Sequence, residues 1–349
     1  MTRRLDTIIV GAGLAGSSAA FWLSREGQSV CVLEADSIAA GASGVGFGLA
    51  NPMMSRKGRP VWRVHEALAA LEEMGCSGRR GILRPAKNEE QADYFRESCG
   101  LSPDIGAWIH SESARERFPF LIAPFGLISI PSGIAVQMAS QVRLWLEGID
   151  VRENTIVKSW KESGQGVELD LSDGSSLSAD RMVLCSGSAL LRDPKTQHLN
   201  LHGIKGQTIR VRKPDALPEA LPSLSGFGYV VDEGNGILTI GGGFQHQWST
   251  QLATPEATTD LLDTVSHMVK GIDGAGIIEQ SAAIRMTVPG TRLPMIGPLC
   301  SSGRVWIFTG LGSKGILMAA LLGKNILRFF SEPETIPPIC GVVRRDANS

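Results

Sequence analysis

Near the N-terminus Gly11, Gly13 and Gly16 stand in Gly-x-Gly-x-x-Gly spacing, with Ala12, Leu14 and Ala15 between them, and Glu34 follows 23 positions after the first glycine. Two glycines at the entry to a helix allow a tight turn and let backbone N–H groups approach a pyrophosphate, while the third lets helix and strand pack closely. The helix N-terminus adds the positive end of its dipole to the same phosphates. A carboxylate closing the next strand, here Glu34 followed by Ala35, can accept both hydroxyls of an adenosine ribose that lacks a 2′-phosphate. The constellation therefore points to dinucleotide binding. Its plainer reading is a tight strand–helix turn with no ligand.

Three later segments bear on which dinucleotide. Gly41-Ala42-Ser43-Gly44 lies where a second loop would meet the pyrophosphate, and Met182-Val183-Leu184-Cys185-Ser186-Gly187 is a strand-turn of the kind that returns to the adenosine side. Gly310-Leu311-Gly312-Ser313-Lys314-Gly315, leading into Ile316, is a second glycine-rich strand-to-helix turn. Such a turn can aim N–H groups and a helix dipole at the N1/O2 edge of an isoalloxazine, where negative charge develops on reduction. NAD needs only the first motif, so the four together favour FAD.

Three side chains could handle a substrate. Arg285 stands in an otherwise apolar strand, and its planar fork suits a carboxylate; the ordinary alternative is a strand-face arginine paired with an acid such as Glu279. Tyr229, one of two tyrosines, is either a substrate contact or a half-buried sheet residue. Lys314, in the turn facing the flavin, either supports reduced flavin and substrate or points to solvent. Cys185 reads as a packed thiol and His246 as a loop histidine.

Positioning these groups requires a βαβ unit at Leu5–Val10, Leu14–Glu26 and Ser29–Leu33, a glycine-rich loop from 37 to 55, and helices at about 60–74, 89–99, 135–146 and 255–269. Strands are expected at 82–83, 156–160, 167–171, 176–179, 182–184, 207–212, 229–232, 237–241 and 305–309, the last running into an apolar helix to about Phe329. The Pro-rich tail from Glu332 reads as surface-bound or disordered.

The composition belongs to a globular protein: 349 residues, 43% apolar and 20% charged, with a net charge of -1. That charge removes the global argument for a dedicated nucleic-acid binder. Locally, Arg56–Lys87 holds eight bases and three acids, a stretch that either rims the active-site mouth for a polyanion or forms a solvated face. The six cysteines are scattered, so neither a disulfide framework nor a metal site is expected, and the cytoplasm is the expected location. Thr2-Arg3-Arg4-Leu5 imitates a twin-arginine signal, but Asp6 interrupts the run that would follow. No transmembrane segment is expected.

These motifs, with Gly203–Gln207 and Ile240–Gly243, run in the order of the D-amino-acid-oxidase-like flavoproteins, a group including glycine oxidase, D-amino-acid dehydrogenase and sarcosine oxidase, which the chain resembles over nearly its whole length. It is similar also to the C-terminal oxidase domain of the bifunctional tRNA 5-methylaminomethyl-2-thiouridine enzymes, through Ala42-Ser43-Gly44 with Asn51-Pro52, Leu293–Pro298 and Gly310–Gly315. The resemblance implies non-covalent FAD and oxidation of a C–N bond next to a carboxylate. It implies that Val157 meets the adenine through its backbone, that Ser43, Ser186 and Gly187 contact the cofactor, that Arg285 holds the substrate carboxylate, and that Tyr229 lines the site. Thr291-Arg292 departs from the acidic residue that often precedes the Leu-Pro.

The expected architecture is α/β: a discontinuous Rossmann-type FAD-binding domain (1–80, 126–200 and 292–340) with an inserted antiparallel-sheet α+β substrate domain (81–125 and 201–291) and a tail at 341–349. The expected function is hydride transfer from a small amino acid or N-substituted glycine to flavin N5, followed by imine hydrolysis, with oxygen or a quinone as acceptor. The alternatives are removal of a carboxymethyl group from a tRNA wobble uridine and, in another class, a flavin-binding regulatory protein without turnover.

Overall fold

Leu5–Val10 (β1) is a β-branched apolar run that forms a buried strand; Leu14–Arg25 (α1) and Val30–Leu33 (β2) complete a βαβ unit. The computed structural model describes residues 4–343, so Thr2-Arg3 and the end of the tail lie outside the described residues. The chain continues through β3 (Phe47–Ala50), α2 (Val64–Glu73), β4 (Arg79–Pro85), α3 (Glu89–Leu101), β5 (Ala107–Ile109), α4 (Ser111–Arg117), β6 (Leu127–Gln137) and α5 (Met138–Trp145). Then come β7 (Asp150–Arg152), β8 (Val157–Ser163), β9 (Gly166–Leu171), β10 (Ser176–Leu184), β11 (His202–Arg212), β12 (Ser223–Ser225), β13 (Tyr229–Gly234) and β14 (Ile237–Gly241). The last elements are α6 (Pro255–Ser266), β15 (Ile277–Thr287), β16 (Met295–Pro298), β17 (Val305–Thr309), α7 (Gly315–Lys324) and α8 (Ile326–Ser331).

Two sheets organise these elements. The first runs β16-β17-β10-β1-β2-β7, with β9 and β8 joined to β10, and its five strands from β17 to β7 are parallel. Helix α1 packs on it, and α7 packs on α1 so closely that a Cβ at Gly323 would stand 2.2 Å from the Ser18 hydroxyl, which itself donates to the Ala319 carbonyl at 2.7 Å. The second sheet runs β15-β11-β14-β13-β12-β4-β6-β3, with β5 on β6, and all its pairings but β12–β4 are antiparallel. One of its faces buries Ile209, Val211, Val230, Leu238 and Ile240 against Leu261, Val265 and Met268. Period-two alternation turns Ile204, Gly206, Thr208, Tyr229, Gly241 and Arg285 to the other face.

Several elements depart from the sequence-based expectations for physical reasons. Ala135 and Val136 belong to β6 rather than a helix, because β6 is sandwiched between β3 and β4 and buries both residues completely. Phe47–Ala50, expected within a loop, pairs with the end of the same strand. Thus β3 and β6 join the second sheet, although residues 1–80 and 126–200 were expected on the nucleotide side. The helix expected from Pro60 begins only at Val64, after Arg63 adopts a left-handed φ of 51°. Strand β10 is continuous where two strands were expected, since it pairs with β9 at one end and with β1 along its length. The C-terminal helix divides at Asn325. The tail after Glu332 is anchored: Cys340 is fully buried and Asn200 N–H donates to the Val343 carbonyl at 3.0 Å.

Candidate active site

Strands β1, β2, β10 and β17 point the same way and end at Val10, Leu33, Leu184 and Thr309, so Gly11, Glu34, Cys185 and Gly310 all emerge at one carboxyl edge of the first sheet. Gly11 has φ 109°, and a Cβ there would lie 2.6 Å from the Cys185 carbonyl oxygen; the turns after β1 and β10 touch back to back. At Gly16 a Cβ would stand 1.9 Å from the Gly11 carbonyl, which is the close helix–strand contact that the third glycine of the motif permits. Helix α1 starts at Gly13 with no capping side chain of its own and no acid in its first turn. The Leu14 N–H is met instead by Ser43 Oγ at 2.9 Å. Ala12 and Ala15 are buried, whereas Ala35 and Ala42 are exposed.

The Glu34 carboxylate is aimed back over the turn: Oε2 accepts the Ala12 N–H at 2.7 Å and Oε1 the Asp36 N–H at 3.1 Å. The Glu34 backbone is held from the other side, donating to the Arg152 carbonyl and accepting from Thr155 N–H, at 2.9 and 2.8 Å. Arg152 and Thr155 were not singled out from the sequence, because a three-residue strand such as β7 has no periodicity to read. Val157 opens β8 opposite Leu171, packed against Leu171 and its neighbours. Ser186 and Gly187 (φ 56°) follow Cys185, whose fully buried thiol is pushed up in pKa by desolvation.

The second glycine-rich turn sits beside the end of β15. Gly310 and Gly312 take φ values of 73° and 54°, a single 3-10 turn spans Gly312–Lys314 with Ser313 exposed, and Gly315 begins α7. Leu311 bridges to Thr287, two residues beyond Arg285, so this turn and the Arg285 strand are directly joined. Ile316 is buried against Gly48, where a Cβ would come within 2.9 Å of it. Lys314 is half-buried, and burial, followed by the charge of Arg292, lowers its pKa.

Arg285 reaches across β11 over Gly206, where a Cβ would stand 2.8 Å from Nη2. Nη2 donates to the Gly243 carbonyl at 2.6 Å, and the guanidinium carbon lies 4.6 Å from the centre of the Phe244 ring. Glu279 does not pair with it; that acid bonds Arg210 at 2.9 Å. Tyr229 lies flat over Gly241, a Cβ there falling 2.5 Å from its hydroxyl. Desolvation raises the Tyr229 pKa, with the Arg285 charge opposing, and desolvation lowers that of Arg285, with Tyr229 opposing. The phenol therefore stays protonated at neutral pH while the guanidinium stays charged. Gly206, Gly243 and Phe244 were not linked to Arg285 from the sequence, since only the pairing of β11 with β15 on one side and with β14 and Gln245 on the other brings them together. Gln207 turns away and bonds Thr254 and Thr258.

Other features fall outside this cluster. A cleft of about 460 Å³ is lined by Ser37–Ala40, Gly44, Val45, Gln251–Ala253 and Gln280–Ala282, on the flank of the pyrophosphate-type loop. The basic stretch is largely engaged: Arg56 pairs with Glu90, Arg63 with Glu66 and Arg79 with Asp232. Arg84 is buried and donates to the Met53 carbonyl, and Lys57 and Lys87 lie over Tyr94 and Phe227. His246 stacks on His202. Among the described residues, no helix is long and apolar enough to cross a membrane.

A parallel sheet with four motifs at its carboxyl edge, facing a second sheet that presents a charged arginine, defines a nucleotide-dependent oxidoreductase of the Rossmann class. Residues 6–328 match the DAO family, described as FAD dependent oxidoreductase; the chain belongs to this family and its cofactor is FAD. It is 27% identical, over 91% of its length, to the tRNA 5-methylaminomethyl-2-thiouridine biosynthesis bifunctional protein MnmC of Thiobacillus denitrificans, and covers 55% of that protein. It thus spans about half the length of the curated relatives it matches. Among solved structures it is similar to glycine oxidase from Geobacillus kaustophilus, with TM-score 0.85 and 22% identity over 99% of this chain and all of the other. Iminodiacetate oxidase from Chelativorans sp. BNC1 has TM-score 0.78 and 21% identity over 98% of this chain and all of that one. The residues at the carboxyl edge fit FAD: the glycines leave a cradle that side chains would fill, the helix end carries no acid, and Glu34 presents a carboxylate beyond it.

Proposed function

We propose that the protein oxidises the C–N bond of an amine bearing a carboxylate on the adjacent carbon, a small amino acid or N-substituted glycine. The observation carrying this reading is Arg285: a charged guanidinium on the face of the second sheet opposite its apolar core, joined through Thr287 and Leu311 to the second glycine-rich turn and, among the described residues, paired with no acid. Bound FAD supplies a two-electron acceptor. In this reading residues 11–16, 34–35, 42–43, 157, 186–187 and 310–316 hold it, with Glu34 accepting the ribose hydroxyls. Arg285 binds the substrate carboxylate as an ion pair, the Tyr229 hydroxyl donates a hydrogen bond beside it, and Lys314 adds positive charge at the turn. With the carboxylate fixed, the Cα–H bond is oriented and the unprotonated amine assists its departure as hydride. The resulting imine then takes up water, giving an oxoacid and an amine or ammonia. The division into a discontinuous FAD-binding unit and a substrate unit belongs to the same proposal.

Anaerobic mixing with a panel of N-substituted glycines, D-amino acids and bulk tRNA tests the reading through loss of flavin absorbance. Bleaching by a carboxylate-bearing amine is the expected result, and no bleaching by any member would return the protein to a non-catalytic flavin binder.

A second reading, in which the amine is a carboxymethylaminomethyl group on tRNA, is favoured by the similarity to proteins named for tRNA 5-methylaminomethyl-2-thiouridine biosynthesis. Bulk tRNA would then bind with an affinity falling steeply with salt, and the triple change Arg56→Glu, Lys57→Glu, Arg59→Glu would abolish it. The ion pairs and ring contacts engaging this stretch argue for the small substrate.

A further inference from the structure

We infer that Phe244 is a positioning residue for Arg285, holding the guanidinium in the one orientation in which it takes a carboxylate; the inference rests on the carboxylate-binding reading of Arg285. Three contacts define that orientation. The guanidinium lies on the backbone of Gly206, the space for it existing only because a Cβ there would approach Nη2 to 2.8 Å and Cζ to 2.9 Å. Nη2 is tied to the Gly243 carbonyl at 2.6 Å. The Phe244 ring, its centre 4.6 Å from Cζ, supplies the remaining contact. Among the described residues, Nε and Nη1 have no acceptor and remain available to an incoming ligand.

The exposure of Phe244 is what makes this contact informative. The ring is 58% exposed, a poor position for a large apolar side chain unless its cation contact or its binding surface is used. Nor is it a loose loop residue. Its predecessor is held by Arg285, while its successor Gln245 pairs with Lys205 through two backbone hydrogen bonds of 3.0 and 2.9 Å. His246 is then stacked on His202, ring centres 5.5 Å apart. The backbone thus fixes the ring over the cation although nothing buries it. A ring so placed restrains the plane of the fork and keeps water from part of it, which strengthens the attraction of the free donors for an anion.

Acetate, a bare carboxylate, is the probe, titrated into the FAD-loaded protein and followed by the flavin absorbance shift. Phe244→Ala should raise the acetate dissociation constant about five- to tenfold, the range of a partly desolvated cation–ring contact. Phe244→Tyr should bind acetate like the parent, and Phe244→Leu, which keeps apolar cover without the ring, should be weakened. FAD content and melting temperature should not change in any of the three, and with an amine substrate KM should rise more than kcat falls. Parent-like acetate binding by Phe244→Ala or by Phe244→Leu, with binding lost in Arg285→Ala, overturns the role of Phe244 and leaves the carboxylate reading standing. Parent-like binding in Arg285→Ala overturns that reading itself.

Discussion

At the scale of single residues, the electrostatics of the site turn on Arg285, which among the described residues is paired with no acid. Arg210 and Arg285 are carried by neighbouring strands and point to the same face, yet Arg210 is saturated by Glu233 and Glu279, whereas Arg285, among the described residues, meets a backbone carbonyl and a ring and no acid. A cation paired internally cannot bind a substrate anion without breaking an existing bond; an unpaired one can. Arg285→Ala should leave the flavin spectrum intact and lower the second-order rate constant for flavin reduction roughly 30-fold or more, equivalent to about 2 kcal/mol of lost carboxylate binding. Stopped-flow reduction checks this, and Arg285→Lys should restore only part of the rate because an ammonium lacks the fork.

At the scale of elements, β13 and β14 must hold Tyr229 and Gly241 in register, and the hairpin joining them is locked by Asp232. This carboxylate is 1% exposed. It accepts the N–H groups of Leu221 and Gly234 at 3.0 and 2.8 Å and the Lys213 ammonium at 3.1 Å. Burial alone would raise its pKa, but those donors outweigh it and hold the carboxyl below its ordinary value. A depressed native pKa means stabilisation that is complete above the ordinary carboxyl value of about 3.9 and lost as pH falls through the lowered native value. Asp232→Asn should therefore cost roughly 1.5–3 kcal/mol at neutral pH, and the gap to the parent should close below about pH 4. Thermal melts of both proteins between pH 2.5 and 7 measure it.

At the scale of the whole molecule, the carboxyl edge of the first sheet is assembled from strand ends that run from Val10 to Thr309, so FAD bound there as proposed joins segments that are remote in the chain. A ligand bound only by the folded protein stabilises it by about 2.7 kcal/mol at one hundred times its dissociation constant. Removing FAD should lower the melting temperature by several degrees, and adding it back should restore the loss. Glu34→Ala should retain less FAD on dialysis and need a higher FAD concentration for the same recovery, since in the proposed reading it removes the ribose acceptor. FMN or NAD in place of FAD in the heat-released extract would contradict the cofactor.

What was legible in the sequence was whatever depends on neighbours along the chain. The turn Gly11–Gly16, its distance to Glu34, the strands Ile237–Gly241 and Val305–Thr309 and the turn that follows are written in consecutive residues, because tight turns and buried strands each demand particular residue types locally. The limits of β6 were not legible: Ile134-Ala135-Val136 is equally apolar as the start of a helix, and only pairing with β3 and β4 decides it. The company of Arg285 was not legible either. Gly206 lies 79 positions before it and Phe244 41 before it, and no periodicity spans such separations. The register of β11 against β15, which sets Ile204 opposite Arg285 and lays the guanidinium over Gly206, exists only once both strands are folded into one sheet. The sequence alone thus determined the glycine-rich turns and Glu34 at the carboxyl edge of the first sheet, while tertiary structure decided which side chains gather around Arg285 and what holds them there.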